Sequence, residues 1–143
     1  MYKKILIPLD NSPTDTKILE HIRPLAKMTK AKLVLVHVAE GFAARLQDEL
    51  NLADSEEMTG DQAYLDAVRD ALARDGFSVK GVLLQGKEPV DGILAVAEQE
   101  ECDLIAMSTH GHGFIKDVIL GSVADTLRHR TGIPILMIRA SLK

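Results

Sequence analysis

Short runs of apolar residues recur along the chain, and polar or small residues separate them. Runs that are nearly continuous in Ile, Leu and Val are typical of parallel strands that are covered on both faces. This pattern predicts five strands, which are Lys4 to Leu9, Leu33 to Val38, Val79 to Leu84, Leu104 to Met107 and Ile135 to Ile138.

Apolar residues at helical spacing occupy most of the stretches between these runs. The positions of Ile18 and Ile22 predict a first helix that starts near Pro13, where a missing backbone N–H does no harm. Pro24 lies inside this helix and is expected to kink or break it. A third helix is predicted after Pro89 on the same grounds.

The connection from Ala39 to Gly60 is rich in Glu and Asp and has weak periodicity. We expect a solvated surface excursion there, with a short helix near Phe42 to Leu50. Helical spacing returns over Asp61 to Arg74, which predicts a second helix that ends at Gly76.

Alternating strands and helices predict an α/β fold, namely one doubly wound, five-stranded parallel sheet of Rossmann-like type with strand order 3-2-1-4-5. In this order the chain direction reverses between strands one and four. Ligands of such sheets bind outside the carboxyl ends of the strands at this point. The loops that meet there run from Pro8 to Ser12 and from Met107 to Gly113, and both are polar.

Small and polar residues also mark the start of the last predicted helix. The Ser122 hydroxyl, with Asp125 three positions later and Gly132 beyond the end, predicts a helix whose first turn begins at Ser122. Glycines before a helix start leave backbone N–H groups unpaired, and these groups suit an anion such as phosphate. The segment from Gly111 to Ser122 is therefore predicted to bind the phosphates of a nucleotide.

Composition narrows the class of protein. The 143 residues fit one domain, covering residues 1 to 143, and the net charge of −4 argues against a nucleic-acid partner. The single cysteine, Cys102, is compatible with a reducing cytoplasm and is predicted to be a buried apolar residue. No apolar run approaches the roughly 20 residues that span a bilayer, so no membrane partner is expected.

The sequence resembles the universal stress proteins, the UspA-like family, along essentially its whole length. The resemblance is carried by Lys-Ile-Leu-Ile-Pro-Leu-Asp at the start, Leu-Val-His-Val, Cys-Asp-Leu-Ile-Ala-Met-Ser-Thr-His-Gly, Leu-Gly-Ser-Val-Ala, and the closing Ile-Pro-Ile-Leu-Met-Ile-Arg. The ATP-binding branch has the pattern Gly, two residues, Gly, nine residues, Gly, Ser or Thr. Gly111 and Gly121-Ser122 match it, whereas Ser108 replaces its first glycine.

The resemblance implies a domain of the adenine nucleotide alpha-hydrolase-like fold and a binding site for ATP, with AMP or ADP as alternatives and Mg²⁺ as a companion ion. Carried over position by position, Asp10 would lie near the ribose and adenine, and Val38 would offer backbone groups to the adenine edge. The residues that would line the adenosine pocket or hold the phosphates are Pro8, Leu9, Asp10, Val38, Met107, Ser108, Gly111, Gly121, Ser122 and Val123.

Three functions remain open at this stage. The first is a nucleotide-dependent regulatory or stress-response module with an unidentified protein partner. It would have at most slow hydrolysis, because no general base or Walker lysine is evident. The second is a stress-induced interaction protein that binds no nucleotide, which Ser108 favours. An enzyme of the wider class would need a pyrophosphate loop that Asp10-Asn11-Ser12-Pro13 does not provide.

Two further features bear on partners. His110 and His112 could suggest a metal site, but no Cys or Glu stands at ligand spacing, so none is expected. The last strand, Pro134 to Ile138, lies at an edge in the proposed order, and an apolar edge needs a cover. The resemblance implies a homodimer that pairs through this strand.

Overall fold

The structure is a computed structural model that describes residues 1–39, 51–85, 88–110 and 115–140. For residues 51–59, 110, 115–122 and 140 it describes the backbone alone. The predicted short helix at Phe42 to Leu50, and the loop residues Gly111, His112 and Gly113, lie outside the described residues.

Strands and helices alternate along the whole chain. The elements are β1 (Lys4–Leu9), α1 (Thr14–Thr29), β2 (Lys32–Ala39), α2 (Asn51–Arg74), β3 (Val79–Gln85), α3 (Pro89–Gln99), β4 (Leu104–His110), α4 (Ile115–Arg130) and β5 (Ile135–Ala140). The strands form one parallel sheet in the order β3-β2-β1-β4-β5, which confirms the predicted fold class and strand order.

Alternate residues of the inner strands are buried in two layers, one on each face of the sheet. The α1 and α2 layer contains Ile5, Ile7, Ile18, Ile22, Leu65, Leu104 and Ala106. The α3 and α4 layer contains Leu6, Val36, Ile93, Met107, Val123 and Leu127. Burial on both faces explains why the strands are nearly continuous in aliphatic residues.

Three helices are longer than the sequence patterns predicted, and α1 and α2 are two of them. α1 continues through Pro24 to Thr29, so the predicted break is wrong. Pro24 and Glu20, whose carbonyl loses its donor there, both lie on the exposed face, where water can hydrate that carbonyl. α2 starts at Asn51, ten residues before Asp61. The added stretch is rich in good helix formers, and extending a helix needs no apolar face.

α4 starts at Ile115, so the predicted helix start at Ser122 is wrong. Gly121 and Ser122 lie inside this helix. An internal glycine costs about 1 kcal/mol relative to alanine. That cost is offset by the burial of Val123 and Leu127, which hold α4 against the sheet.

The sheet opens between β1 and β4 near their carboxyl ends. β1 pairs with β2 along its whole length, from Lys4 with Lys32 to Leu9 with His37. With β4 its register is Ile5 with Leu104 and Leu6 with Ile105. β4 meanwhile stays paired with β5 as far as His110, three residues beyond its predicted end. A crevice therefore forms where β1 turns into α1, which is the predicted position for a ligand.

Candidate functional site

The turn between β1 and α1 is held by the carboxylate of Asp15. This carboxylate accepts hydrogen bonds from the backbone N–H of Asp10, at 3.1 Å, and from that of Asn11, at 2.9 Å. Asn11 has a φ of 60°, a left-handed conformation that asparagine tolerates better than most residues. The turn is thus fixed by a side chain from the first turn of the helix that follows it.

One oxygen of the Asp10 carboxylate has a partner and the other does not. Asp10 Oδ1 accepts a hydrogen bond from the Ser12 hydroxyl. Asp10 Oδ2 is buried and has no hydrogen-bond partner among the described residues. A buried carboxylate oxygen without a donor is costly, because it has lost its water. This atom is therefore suited to receive a hydroxyl or N–H donor from a ligand.

Asp15 is joined to α2 by Tyr64. The Tyr64 hydroxyl donates to Asp15 Oδ2 at 2.5 Å, and Asp15 itself is 1% exposed. Burial raises the pKa of the Asp15 carboxyl from 3.8 to about 6, although the Tyr64 hydrogen bond acts in the opposite direction. Burial and the nearby Asp15 charge also raise the pKa of the Tyr64 phenol.

His37 links β2 to the same turn. Its Nδ1 lies 2.8 Å from the carbonyl oxygen of Leu9, and its Nε2 lies 3.4 Å from the carboxylate of Asp61 on α2. The same Asp61 oxygen accepts a hydrogen bond of 3.4 Å from the Asn11 side chain. Both ring nitrogens of His37 are therefore engaged within the protein, and the residue serves to connect the ends of β1 and β2.

Ser108 is connected to Asp10 through two intervening residues. The Ser108 hydroxyl, which is buried, donates to the Thr14 carbonyl at 3.5 Å. The Thr14 hydroxyl lies 2.8 Å from that of Ser12, which donates to Asp10. The end of β4 and the β1–α1 turn thus share one chain of hydrogen bonds across the crevice.

The other predicted site residues lie as follows. Pro8 and Leu9 are buried at the end of β1, Val38 is half-buried near the end of β2, and Met107 is buried beneath α3 and α4. Val123 is buried in α4. The structure describes only the backbone of Gly121 and Ser122, and Gly111 lies outside the described residues.

The sequence patterns did not identify three residues of the site, because each has an ordinary structural explanation. These residues are Asp15, Asp61 and Tyr64. An acid in the first turn of a helix is common, and Tyr64 stands beside Leu65 on a helix that packs on the sheet. The one available signal was the short spacing between Asp10 and Asp15 around a turn rich in capping residues.

Several other kinds of site find no support in the described part of the chain. No group of three or more His, Cys, Asp or Glu side chains there could hold a metal ion. Cys102 is buried, as predicted, and burial raises the pKa of its thiol to about 11, so it stays protonated at neutral pH.

Among the helices that the structure describes, none combines the length and the apolar character that crossing a bilayer requires.

Comparisons with known proteins point to one family. A sequence model described as the universal stress protein family matches residues 1–139. The universal stress protein MJ0577 of Methanocaldococcus jannaschii is 27% identical over 156 aligned positions, which cover 97% of this chain and 96% of that protein. The solved structure of MJ0577 has a TM-score of 0.83 at 28% identity and covers 100% of this chain and 99% of its own.

A more distant structure shares the fold. The universal stress protein from Archaeoglobus fulgidus, solved in complex with dAMP, has a TM-score of 0.70 at 21% identity. The match covers 96% of this chain and 98% of that one.

Proposed function

This chain belongs to the universal stress protein family, and on that premise we propose that it binds an adenine nucleotide in the crevice between β1 and β4. The nucleotide is ATP, with AMP or ADP as the alternatives, and Mg²⁺ accompanies the phosphates. Binding serves a regulatory role in the stress response through a protein partner. Hydrolysis is slow at most, because the described residues include no evident base positioned to activate water.

The unpartnered oxygen of Asp10 is the observation that carries this proposal. Asp10 stands immediately after β1, where the sheet opens toward β4. Its Oδ2 is buried without a donor among the described residues. Ribose hydroxyls are donors of the right kind, and a hydrogen bond to a charged acceptor contributes roughly 1.5 to 3 kcal/mol. The dAMP complex of the A. fulgidus protein agrees with an adenine nucleotide as the occupant of this fold.

The contacts of Ser108 support the proposal despite the missing glycine. Its hydroxyl is buried and donates to the Thr14 carbonyl, on the α1 side of the sheet. A serine whose hydroxyl is already engaged there need not obstruct a ligand in the crevice. The alternative function, an interaction protein without nucleotide, is favoured by Ser108 only if its side chain blocks the site.

For the phosphates we propose Gly111, Gly121, Ser122 and Val123. Gly121 lies in the interior of α4, where backbone N–H groups are paired within the helix, so its proposed contribution is the close approach that the absence of a side chain allows. Pro8, Leu9 and Val38 would enclose the adenosine, since all three lie near the carboxyl ends of their strands. Met107 would pack nearby from the middle of β4.

We also propose a domain organisation, a cellular location and an oligomeric state for the protein. Residues 1–143 form one domain, which acts in the cytoplasm as a homodimer. β5 lies at the edge of the sheet, and Met137 on it is 44% exposed. Pairing through Pro134 to Ile138 with a second copy would cover this apolar side chain and satisfy the free edge.

Calorimetric titration tests the central claim. Purified protein is heated to release any bound small molecule, which is identified by mass and absorbance, and fresh protein is titrated with ATP, ADP and AMP. Asp10→Asn should bind at least about tenfold more weakly, because an amide has one acceptor oxygen where the carboxylate has two. Asp125→Asn, which removes an exposed carboxylate paired with Arg128, is the matched control and should bind normally.

Two results would overturn the proposal. One is the absence of adenine nucleotide both in the supernatant and in the titrations of wild-type protein. The other is a folded Asp10→Asn variant with wild-type affinity for all three nucleotides.

A further inference from the structure

The β1–α1 turn carries Asp10 but does not hold itself in place. The backbone N–H groups of Asp10 and Asn11 both donate to the Asp15 carboxylate, one to each oxygen. The left-handed φ of Asn11 makes this turn a conformation that needs such support. The direction in which the Asp10 side chain leaves the backbone therefore depends on Asp15.

Asp15 is itself held by α2. The Tyr64 hydroxyl donates to Asp15 Oδ2, so the carboxylate has three donors around it and is only 1% exposed. Its two oxygens face the turn and α2, and it acts on Asp10 through the backbone. Asp15 is thus placed to shape the turn without touching a bound ligand.

α2 contacts the turn at a second point. Asp61, one helical turn before Tyr64, accepts a hydrogen bond from the Asn11 side chain and lies 3.4 Å from His37 Nε2. Residues three apart lie on the same face of a helix. One face of α2 therefore secures both the backbone and a side chain of the turn.

We infer that Asp15, secured by Tyr64, is a positioning residue that holds the β1–α1 turn in the shape that presents the Asp10 carboxylate to the nucleotide. This inference rests on the proposed function for its ligand, and it goes beyond it in making nucleotide affinity depend on α2. Neither residue is among those that the family resemblance places in the site.

Two conservative variants test the inference, each with a matched control. Tyr64→Phe keeps the ring and removes the donor, and Tyr2→Phe, which changes the other tyrosine of the chain, is its control. Asp15→Asn keeps the shape and removes one acceptor, and Asp70→Asn, an exposed carboxylate on α2 paired with Arg69, is its control. The double variant Asp15→Asn, Tyr64→Phe measures whether the two residues act as one unit.

The first readout is hydrogen exchange of single amides by NMR, without nucleotide. In both test variants the amides of Asp10 and Asn11 should exchange at least about tenfold faster. The amide of Leu33, which donates to the Ser78 carbonyl elsewhere in the sheet, should keep its rate. A uniform acceleration of all amides would mean a general loss of stability and would overturn a positioning role, as would unchanged rates.

The second readout is affinity for ATP at a temperature where every variant is folded. Each test variant should bind about tenfold more weakly, and the double variant should bind little worse than Asp15→Asn alone. Wild-type affinity in folded test variants would overturn the inference. If the wild-type protein binds no adenine nucleotide, the proposed function fails, and the exchange rates still decide whether Asp15 holds the turn.

Discussion

Tyr64 and Asp15 are 49 positions apart in the chain, yet the hydroxyl of one donates to the carboxylate of the other between α2 and α1. The Asp15 carboxylate is buried and Tyr64 is half-buried, and each group changes the pKa of its partner. This contact joins α1 to α2 in addition to the apolar layer that the two helices share.

The raised pKa of Asp15 predicts a specific dependence of stability on pH. The carboxyl titrates near 6 in the folded protein and near 3.8 otherwise, so the folded state binds the proton more tightly. The resulting stabilisation is fully present below about pH 4 and is lost as the pH rises through 6. Relative to Asp15→Asn, the free energy of unfolding of the wild type should rise by about 2 kcal/mol between pH 7 and pH 4.

Urea unfolding at closely spaced pH values measures this difference. The comparison with Asp15→Asn is required because other carboxylates act in the opposite direction. Desolvation raises the pKa of Asp103, but the hydrogen bonds that it accepts from the Lys3 and Lys4 backbone help to lower that pKa overall, so its stabilisation falls in acid. A difference between wild type and Asp15→Asn that stays flat with pH would contradict the prediction.

Ser108→Gly should separate stability from affinity. The change removes a buried hydroxyl and its contact with the Thr14 carbonyl, and it adds backbone freedom within β4. We expect a loss of about 1 kcal/mol in the free energy of unfolding, with affinity for ATP unchanged within about twofold. Thermal unfolding and calorimetric titration measure the two quantities. Binding that became tenfold tighter would show that the serine obstructs the nucleotide.

Gly121→Asp should abolish nucleotide binding. A carboxylate at this position of α4 would occupy the proposed place of the phosphates and repel them. Gly60→Asp is the matched control, because Gly60 also lies inside a helix and a Cβ there meets nothing within 4 Å. Equal ATP affinities of the two folded variants, measured by titration, would remove Gly121 from the site.

Met137→Lys should convert the proposed dimer into a monomer. The change places a charge on the exposed side of β5, at the edge where a second copy would pair, and edge lysines oppose such pairing. Met28→Lys is the control, since Met28 is an exposed methionine on α1. Light scattering at micromolar concentration gives the mass of each. A monomeric wild type, or a Met137→Lys variant that remains dimeric, would contradict the proposal.

The strands and their order could be predicted because they follow from simple physical rules. β1 and β2 bury both faces, so their aliphatic runs stand out, and right-handed crossovers leave few arrangements of five parallel strands. The start of α4 was mistaken because Gly121-Ser122 has the composition of a helix start. α4 instead begins at Ile115 and runs through both residues, so capping composition alone did not mark its start.

The position of the candidate site could be predicted from the sequence, but the residues that hold the β1–α1 turn could not. Asp10 could be singled out because it follows the first strand at the switch point. Its dependence on Asp15 could not be predicted, because a hydrogen bond between a turn and the helix that follows it produces no periodic pattern in the sequence. The role of Tyr64 was further hidden, since its partner lies 49 residues away and only the packing of α2 beside α1 brings the two together.

The separation of β1 from β4 after two paired positions is a property of the backbone and of the strand order. The opening between these strands would therefore remain if any one of the surrounding loops were replaced. Relatives that lose the aspartate or the glycines would keep an open recess above the same aliphatic layers. Sequence divergence in the surrounding loops can therefore replace one ligand by another while the sheet keeps the same fold.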